Sequence, residues 1–456
     1  MREAVLEPRL WPVAAAAAGA ALCAGVLIAR SPLLAALAVT ALAVVVGAAR
    51  FGVVAVVVSG FALLPWLVVL EGVLPTAAGT LTTAVSAVAL LAWVSPLRFA
   101  SPLVPAAAAV FVAVVVIHAV YVVDGEEAIQ AAKYVVFPVI VLALAGARAR
   151  ELLPTLKAPV LASCLAAMAF HLAVIAAGGG STSTYYEAGE KLGFAADGPH
   201  ALALLAMLVA AAGLTVRRTS LQLAFFALGA VPVALTGVRS ALLGLVVVLV
   251  IYVVQSPSRW RALAVTVAVA VAALAAGGVD VIGARLTGHP EEFSTFAAAG
   301  SGRGAIWTVA FEAWAAAGPI AWAIGTGLRS IVDFELAALG QELVGHSDVV
   351  EVLVQLGVVG FVAWVALWTG LLRAGLRTIV LLPLLCFAIV NGSLEYVAPL
   401  AAGLFLAAAC AEPLVAAAPQ AEDELLERGA GEGGRRVLPS PALGVGLEGG
   451  GGTDQR

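Results

Sequence analysis

The chain has 456 residues, of which 62% are hydrophobic and 11% are charged, and its mean hydropathy is +1.07. Soluble domains are about half apolar and about one quarter charged, so this composition excludes a soluble protein and predicts a polytopic membrane protein. The formal net charge of −4 says little about partners. In a membrane protein the informative quantity is how the charged residues are distributed between the two sides of the bilayer. Nothing in the sequence favours nucleic acid as a partner.

Apolar runs long enough to cross a bilayer recur along the chain, and they predict an all-α fold with about 12–14 transmembrane helices. The predicted spans are 11–29, 32–49, 52–70, 78–94, 103–123, 129–146, 157–177, 199–216, 219–236, 240–256, 260–278, 348–371, 377–391 and 396–416. A Gly- and Ser-rich loop at 178–198 and a large helical loop at 279–347 interrupt them. We assign 1–417 to one transmembrane domain that includes the large loop, and 418–456 to a disordered cytoplasmic tail.

Basic residues favour an N-terminus in the cytoplasm. With that orientation the inner connections hold 13 basic residues and the outer connections six, and Lys and Arg are enriched in short cytoplasmic loops. We therefore predict a multi-pass protein of the plasma membrane with both termini in the cytoplasm. The large loop 279–347 is then extracytoplasmic.

Three aromatic residues in the large loop recur at helical spacing. Trp307, Phe311 and Trp314 share one face of a predicted helix over 303–317. Aromatic rings on such a helix either anchor it at the membrane interface or lie beside a site, and the two interpretations are compatible.

Two arginines on the outer side are candidate ligands for an anion. Arg239 precedes the tenth span, and Arg303 lies in GSGRGAIW at the start of the predicted aromatic helix. Free backbone N–H groups, the helix dipole and a guanidinium together favour phosphate, although glycine-rich loops without a ligand are also common. Lys133, inside the sixth span, either reaches toward this anion site or pairs with Glu126 or Glu127 nearby.

His346 stands just before the twelfth span, where Asp348 and Glu351 have the spacing of an acidic capping box. The positive end of a helix favours a neutral imidazole, which can accept a proton from a hydroxyl nucleophile, whereas the two carboxylates favour the charged ring. A surface or capping histidine is the alternative. Asn391 and Glu395, at the outer end of the thirteenth span, could line the same cavity.

The sequence contains no recognisable motif for a metal or a nucleotide cofactor. No His, Cys and carboxylate cluster has metal-ligand spacing, and no ATP-binding motif is present. We therefore predict no metal and no cofactor, and the energy of any reaction must come with its substrate. His118 and His171 lie among apolar residues and are expected to bond backbone carbonyls.

Several segments between about 185 and 375 resemble, in order, the motifs of the O-antigen ligase and polysaccharide polymerase superfamily of membrane glycosyltransferases. LTGVRSALLGLV resembles T-x-S-R-[GS], GSGRGAIWTVAFEAW resembles G-[SG]-R-x-x-x-W, and IGTG resembles the G-x-G that follows. HSDVVEVLVQLGVVG resembles H-N-x-x-L-x-x-L-x-x-x-G, and LGFAADGPHALALL resembles G-x-x-x-x-P-N. The chain departs from these motifs at Val238 and, in place of asparagine, at His200 and Ser347.

The resemblance implies a metal-independent, inverting transfer of a glycan from a polyprenyl-pyrophosphate donor, such as an undecaprenyl one, at the outer face of the plasma membrane. The acceptor is a hydroxyl of a glycan, lipid or protein, and membrane lipids surround the enzyme. The motif positions assign the pyrophosphate to Arg239 and Arg303 and the acceptor hydroxyl to His346 as base. The predicted substrate-binding residues are Lys133, Trp307, His200 and Asp348.

Other functions fit parts of the sequence. A ligase and a polymerase use the same donor, so the motifs do not separate them. A transporter or exporter of an envelope lipid or glycan suits the many spans, but the sequence shows no paired broken helices and no chain of acidic residues through the spans. A membrane scaffold without activity is the third alternative.

Overall fold

The structure is a computed structural model. It describes residues 52–70, 76–95, 97–99, 102–120, 122, 125–176, 181–183, 191–193, 199–216, 218–256, 260, 263–264, 266–267, 303–340 and 345–411. The predicted spans 11–29 and 32–49, most of 260–278, and the predicted tail 418–456 lie outside these residues. So do Gly300 and Gly302 of the predicted anion-binding turn.

The described residues form 15 α-helices, and seven of the first eight follow the apolar runs closely; the exception is the short helix Ala147–Leu152. They are α1 Val53–Val69, α2 Thr76–Trp93, α3 Leu103–Ala119, α4 Gly125–Ala145, α5 Ala147–Leu152, α6 Lys157–Ala176, α7 His200–Gly213 and α8 Thr219–Thr236. The others are α9 Arg239–Gln255, α10 Arg303–Ala316, α11 Pro319–Ile324, α12 Ser330–Leu339, α13 Asp348–Arg373, α14 Thr378–Asn391 and α15 Val397–Ala409. Short 3-10 turns cover Leu153–Leu156 and Leu394–Tyr396.

The predicted all-α, polytopic fold is confirmed, with one small addition. Within the predicted loop 178–198, strands β1 (Ser181–Ser183) and β2 (Lys191–Gly193) pair antiparallel. Four described helical segments are long and apolar enough to cross a membrane, and α14 with the turn and α15, bent by 120°, could form a fifth span. The total of 12–14 spans stays a prediction, because part of the chain lies outside the described residues.

Two helices form the centre of the bundle. Every residue of α15 is buried, as is every residue of α7 after the half-buried His200, and the two helices contact each other. Both are rich in Ala and Leu on all faces, as expected of helices surrounded by other helices. Because α7 begins at His200 and α15 begins directly after Tyr396, this central pair fixes one end of the candidate site.

The outer surface carries the apolar side chains expected of a membrane protein. On α9, Val246, Val250 and Val254 are exposed at intervals of four residues, whereas Ala241 and Val248 on the other side are buried. A stripe of valines without protein contacts would be costly in water and is favourable in lipid.

Helix α13 is broken at Gly357, so the prediction of one regular span over 348–371 is wrong at this point. Gly357 has φ 67° and ψ −173°, which is not helical, and such a residue leaves carbonyl groups of the preceding turn without partners in the helix. The backbone N–H groups of Thr326 and Gly327 fill this role. They donate to the carbonyls of Val354 and Gln355 at 2.9 and 3.2 Å.

The turn that carries IGTG therefore docks on the helix break. Gly325 lies so close that a Cβ atom on it would be 2.0 Å from the carbonyl oxygen of Gln355, and a Cβ on Gly357 would be 2.4 Å from the Gly325 nitrogen. Only backbones without side chains can approach to this distance. The contact fixes α11 and α12 of the large loop on the first half of α13, which begins beside His346.

Candidate active site

Four described helices begin in one region, and all four of their first residues were predicted site residues. Helix α7 begins at His200, α9 at Arg239 and α10 at Arg303, and α13 begins two residues after His346. The positive ends of helix dipoles and the free N–H groups of first turns both favour a bound anion. The fold therefore collects the features that the sequence predicted separately.

Arg303 is attached to the end of α14. Its Nη1 donates to the carbonyl oxygen of Val390 at 2.8 Å, and its Nη2 donates to Oδ1 of Asn391 at 2.5 Å. The last carbonyls of a helix have no partner within it, so a guanidinium is a favourable cap there. These bonds use two of the five N–H donors of the arginine and fix the plane of the guanidinium.

Asn391 connects Arg303 to the two histidines. Its Nδ2 lies 3.3 Å from Nδ1 of His200, and because the amide nitrogen can only donate, a neutral His200 carries its proton on Nε2. The ring centroid of His200 is 5.9 Å from that of His346 and 6.1 Å from that of Tyr396. Arg303, Asn391, His200 and His346 thus form a continuous polar row.

The two predicted pyrophosphate ligands act on each other electrostatically. Burial lowers the pKa of the Arg303 guanidinium, the nearby Tyr396 opposes that effect, and the positive charge of Arg239 lowers the pKa further. Two positive charges in a partly buried region repel each other, and an anion between them relieves the repulsion.

His346 has a backbone conformation that is uncommon for its residue type. Its φ is 48°, in the left-handed region where non-glycine residues are rare and often functional. The preceding peptide is held in place, because Nε1 of Trp307 donates to the carbonyl oxygen of Gly345 at 2.7 Å. Trp307, predicted to contact substrate, therefore positions the backbone that carries His346.

The aromatic face of α10 packs on the protein. The predicted helix 303–317 is confirmed as α10, and Trp307, Phe311 and Trp314 pack against a buried cluster formed by α10 itself, α12 and α13. The cluster consists of Ala310, Ile331, Val350 and Val354. These rings attach α10 to α12 and α13. The interpretation of the rings as membrane anchors did not include this contact.

The predicted capping box at the start of α13 is wrong. The N-cap is Ser347, which has extended backbone angles and accepts from the Val350 nitrogen at 3.5 Å, so Asp348 is already the first helical residue. The Asp348 carboxylate is fully buried. It accepts hydrogen bonds from the nitrogen and Oγ of Ser393 and the nitrogen of Leu394, at 2.7, 2.6 and 3.0 Å.

Asp348 therefore clamps the 120° bend between α14 and α15, and its contact with substrate stays a prediction. We expect Asp348→Ala to destabilise the protein by roughly 1–3 kcal/mol, because the buried backbone N–H groups of Ser393 and Leu394 would lose their acceptor. The midpoint of thermal unfolding in detergent measures this loss. Glu312→Gln, an exposed change on α10, is the control and should have almost no effect; equal midpoints for both variants would contradict the assignment.

Lys133 binds a carboxylate that is distant in the sequence. The sequence offered Glu126 and Glu127 as partners, but the structure pairs Nζ of Lys133 with Oε2 of Glu395 at 2.8 Å. Gln130, one turn earlier on α4, donates to Oε1 of the same carboxylate at 2.8 Å. Since the charges of Glu395 and His346 interact, Lys133 acts on the site through Glu395.

Glu351 is a further buried carboxylate beside the site. It is 1% exposed, and neither of its oxygens has a hydrogen-bond partner among the described residues. Its Cγ would lie 2.8 Å from a Cβ on Gly345, so Glu351 contacts the peptide before His346.

The sequence analysis missed Gln130, Ser393 and Tyr396. The first has a readable signal, because Gln130 stands one helical turn from Lys133 and so shares its helix face. Ser393 and Tyr396 reach the site only through the bend after α14, which no local pattern in the sequence indicates.

Comparison with known families locates the same segment. Residues 223–365 match the sequence model of a family described as O-Antigen ligase. The match includes the three predicted catalytic residues together with Trp307 and Asp348, and it leaves Lys133 and His200 outside. A search of curated proteins found no match.

Proposed function

Because residues 223–365 belong to the O-antigen ligase-like superfamily of membrane glycosyltransferases, we propose that the chain transfers a glycan from a polyprenyl-pyrophosphate donor to a hydroxyl acceptor. The observation that carries this proposal is the polar row from Arg303 through Asn391 and His200 to His346, with the charge of Arg239 acting on Arg303 at one end of it. A pyrophosphate needs positive charge to leave, and a hydroxyl needs a base to attack.

In this proposal the two arginines stabilise the leaving group. As the bond between the anomeric carbon and the pyrophosphate oxygen breaks, its electron pair stays on the polyprenyl pyrophosphate, and two guanidiniums neutralise the new charge without requiring a metal ion. Arg303 is preorganised for this task, because Val390 and Asn391 fix its plane. Hydrogen-bond donors fixed in advance need no reorganisation when the charge develops.

His346 takes the part of the base. Its imidazole accepts the proton of the acceptor hydroxyl while the hydroxyl oxygen attacks the anomeric carbon from the side opposite the pyrophosphate, so the configuration inverts. The nearby negative charge of Glu395 favours the imidazolium that forms. In this proposal Trp307 and the clamp of Asp348 hold the His346 segment in place.

We expect Arg303→Lys to lower the rate of glycan transfer by about 100-fold, because lysine keeps the charge but cannot donate to two acceptors in one plane. Transfer is measured with the purified protein in phospholipid vesicles that contain a lipid-linked oligosaccharide. Arg373→Lys is the matched control, since Arg373 is exposed at the far end of α13. If Arg303→Lys and the control are equally active, the guanidinium has no special function at this site.

The acceptor separates two versions of the proposal. A ligase attaches a finished polymer to an acceptor, so its deletion leaves polymer made but unattached. A polymerase adds repeat units, so its deletion leaves single repeats. Both versions place the site on the outer side of the plasma membrane with both termini in the cytoplasm, as the distribution of basic residues indicates.

A transporter is the second candidate, because broken helices are typical of transporter sites. Helix α13 has such a break at Gly357, which the sequence did not reveal. In transporters, however, the free carbonyls of a break coordinate the transported ion or substrate. Here the carbonyls of Val354 and Gln355 accept from Thr326 and Gly327, so this break serves packing of the loop.

A further inference from the structure

A separate cavity of about 300 Å³ lies between the end of α3, the start of α4 and the first turn of α12. Its polar lining consists of His118, Glu127, Thr326, Ser330 and Asp333. The volume is at the lower end of the range for small-molecule sites, which suits a fragment of a larger ligand. None of these residues belongs to the proposed reaction centre.

The hydroxyl groups of this cavity present acceptors to a ligand. Oγ1 of Thr326 and Oγ of Ser330 lie 2.6 Å apart, so one hydroxyl donates to the other. The carbonyl oxygens of Val354 and Gly327, at 2.9 Å from Thr326 and Ser330 respectively, are the backbone acceptors for the remaining hydrogen. A hydroxyl has one hydrogen and two lone pairs. One hydrogen is used between the two hydroxyls and the other by a backbone carbonyl, so the pair has only lone pairs left for a ligand.

His118 adds a further acceptor to the cavity. Its Nε2 lies 2.6 Å from the carbonyl oxygen of Ile324, and a carbonyl can only accept, so Nε2 carries the proton. This contact matches the backbone carbonyl bond predicted for His118. In the neutral ring Nδ1 is then an acceptor, and it lies 3.9 Å from the position of a Cβ on Gly327, toward the cavity.

The charged residues of the cavity also favour a ligand that donates hydrogen bonds. Glu127 and Asp333 are carboxylates, and the described lining contains no lysine or arginine. The guanidinium of Arg329, the residue before Ser330, is paired with Glu126. A cavity lined by acceptors and negative charge disfavours phosphate and selects a ligand rich in hydrogen-bond donors, such as neighbouring hydroxyl or amino groups.

The cavity lies close to the proposed reaction centre. Glu127 stands one helical turn before Gln130, which donates to Glu395 at 2.8 Å. On the other side, Ile331 follows Ser330 in α12, and its Cδ1 would lie 3.3 Å from a Cβ on Gly345, the residue before His346. A single turn of α12 thus separates the cavity from the peptide that carries the proposed base.

We propose that this cavity is a glycan subsite, which binds one sugar unit through its hydroxyl or amino groups while the reacting sugar lies at His346. The inference rests on the proposed transferase function and adds a residue-level site for the glycan, either of the donor or of the acceptor. Glu127 and Asp333 accept hydrogen bonds from the sugar, and Thr326, Ser330 and His118 supply further acceptors.

The kinetic test replaces both carboxylates by amides, Glu127→Gln with Asp333→Asn, and varies donor and acceptor separately. We expect KM for one of the two substrates to rise by about tenfold with kcat unchanged, because only binding shared by ground and transition states is lost. The substrate whose KM rises identifies the source of the sugar. Glu312→Gln is the control, and the inference is overturned if neither KM differs from that of the control.

A binding measurement separates this inference from the transferase function. The probe is the free oligosaccharide released by mild acid from the lipid-linked glycan, and thermophoresis measures its affinity for the full-length protein in detergent. The inference predicts equal affinity for the wild type and His346→Asn and about tenfold weaker affinity for the double variant. Equal binding to all three proteins, or binding to none, overturns it; the predicted pattern in a protein without transfer activity overturns only the proposed function.

Discussion

Replacing His346 with asparagine is expected to lower the rate of glycan transfer by about 10²- to 10⁴-fold, the range for loss of a general base. Asparagine suits this experiment because φ at His346 is 48°, and asparagine tolerates the left-handed region better than alanine does. The amide removes the proton acceptor while keeping a polar side chain of similar reach. Vesicles with a lipid-linked oligosaccharide report the rate.

The matched control is Arg329→Asn. Arg329 is the other described non-glycine residue with positive φ, at 60°, and its ion pair with Glu126 is partly exposed and contributes little stability. We expect this variant to transfer glycan at nearly the wild-type rate. If both asparagine variants are similarly active, His346 is not the base, and if both are similarly inactive, the backbone rather than the imidazole is responsible.

Gly325→Ala and Gly357→Ala are expected to be the most destabilising substitutions, each by more than about 4 kcal/mol. Both glycines have angles that other residues essentially never adopt, φ 94° and ψ 174° at Gly325 and φ 67° and ψ −173° at Gly357. In both cases the new Cβ would also collide with backbone, at 2.0 Å from the Gln355 oxygen and 2.4 Å from the Gly325 nitrogen. The midpoint of thermal unfolding in detergent measures the loss.

Gly318→Ala isolates the collision from the strain. Gly318 has nearly the same angles, φ 88° and ψ 178°, but a Cβ there would meet nothing within 4 Å. We expect a loss of about 1–3 kcal/mol from backbone strain alone. A midpoint for Gly318→Ala as low as that for Gly325→Ala would show that the contact between the IGTG turn and the helix break contributes nothing.

The helices, and the positions of the candidate site residues at helix starts, could be predicted because they depend on local patterns. The apolar runs mark α3 and α9 within a few residues of their observed bounds, since a span must be apolar along its length. The sequence singled out Arg239, Arg303 and His346 because each is a polar residue at the start of a helical pattern. When the N-terminal ends of several helices lie close together, their first residues lie close together as well.

The break in α13 could not be predicted, because its cause lies elsewhere in the chain. VLVQLGVVGFV has the hydropathy of a continuous span, and hydropathy does not record backbone angles. The break exists because Thr326 and Gly327, about 28 residues earlier, supply donors for the exposed carbonyls. The energy of a helix break depends on such partners.

The partners of the buried charges could not be predicted either, because they also lie far away in the sequence. Local rules placed Asp348 in a capping box with Glu351 and directed Lys133 either to the anion site or to its acidic neighbours. In the structure Asp348 binds Ser393 across 45 residues and Lys133 binds Glu395 across 262. Burial makes an unpaired charge costly, so the fold selects partners in space. Only the bend between α14 and α15 brings those partners near.

The most direct test of the proposed function starts from a strain that lacks this gene. Its lipid-linked glycans are extracted, mixed with an envelope acceptor fraction and incubated with vesicles that contain the purified wild-type protein or His346→Asn. We predict that the wild type forms a new glycosidic bond and releases polyprenyl pyrophosphate, and that His346→Asn forms neither product. Movement of the lipid-linked glycan across the vesicle membrane without a new bond, equal for both proteins, would contradict the transferase and establish a transporter.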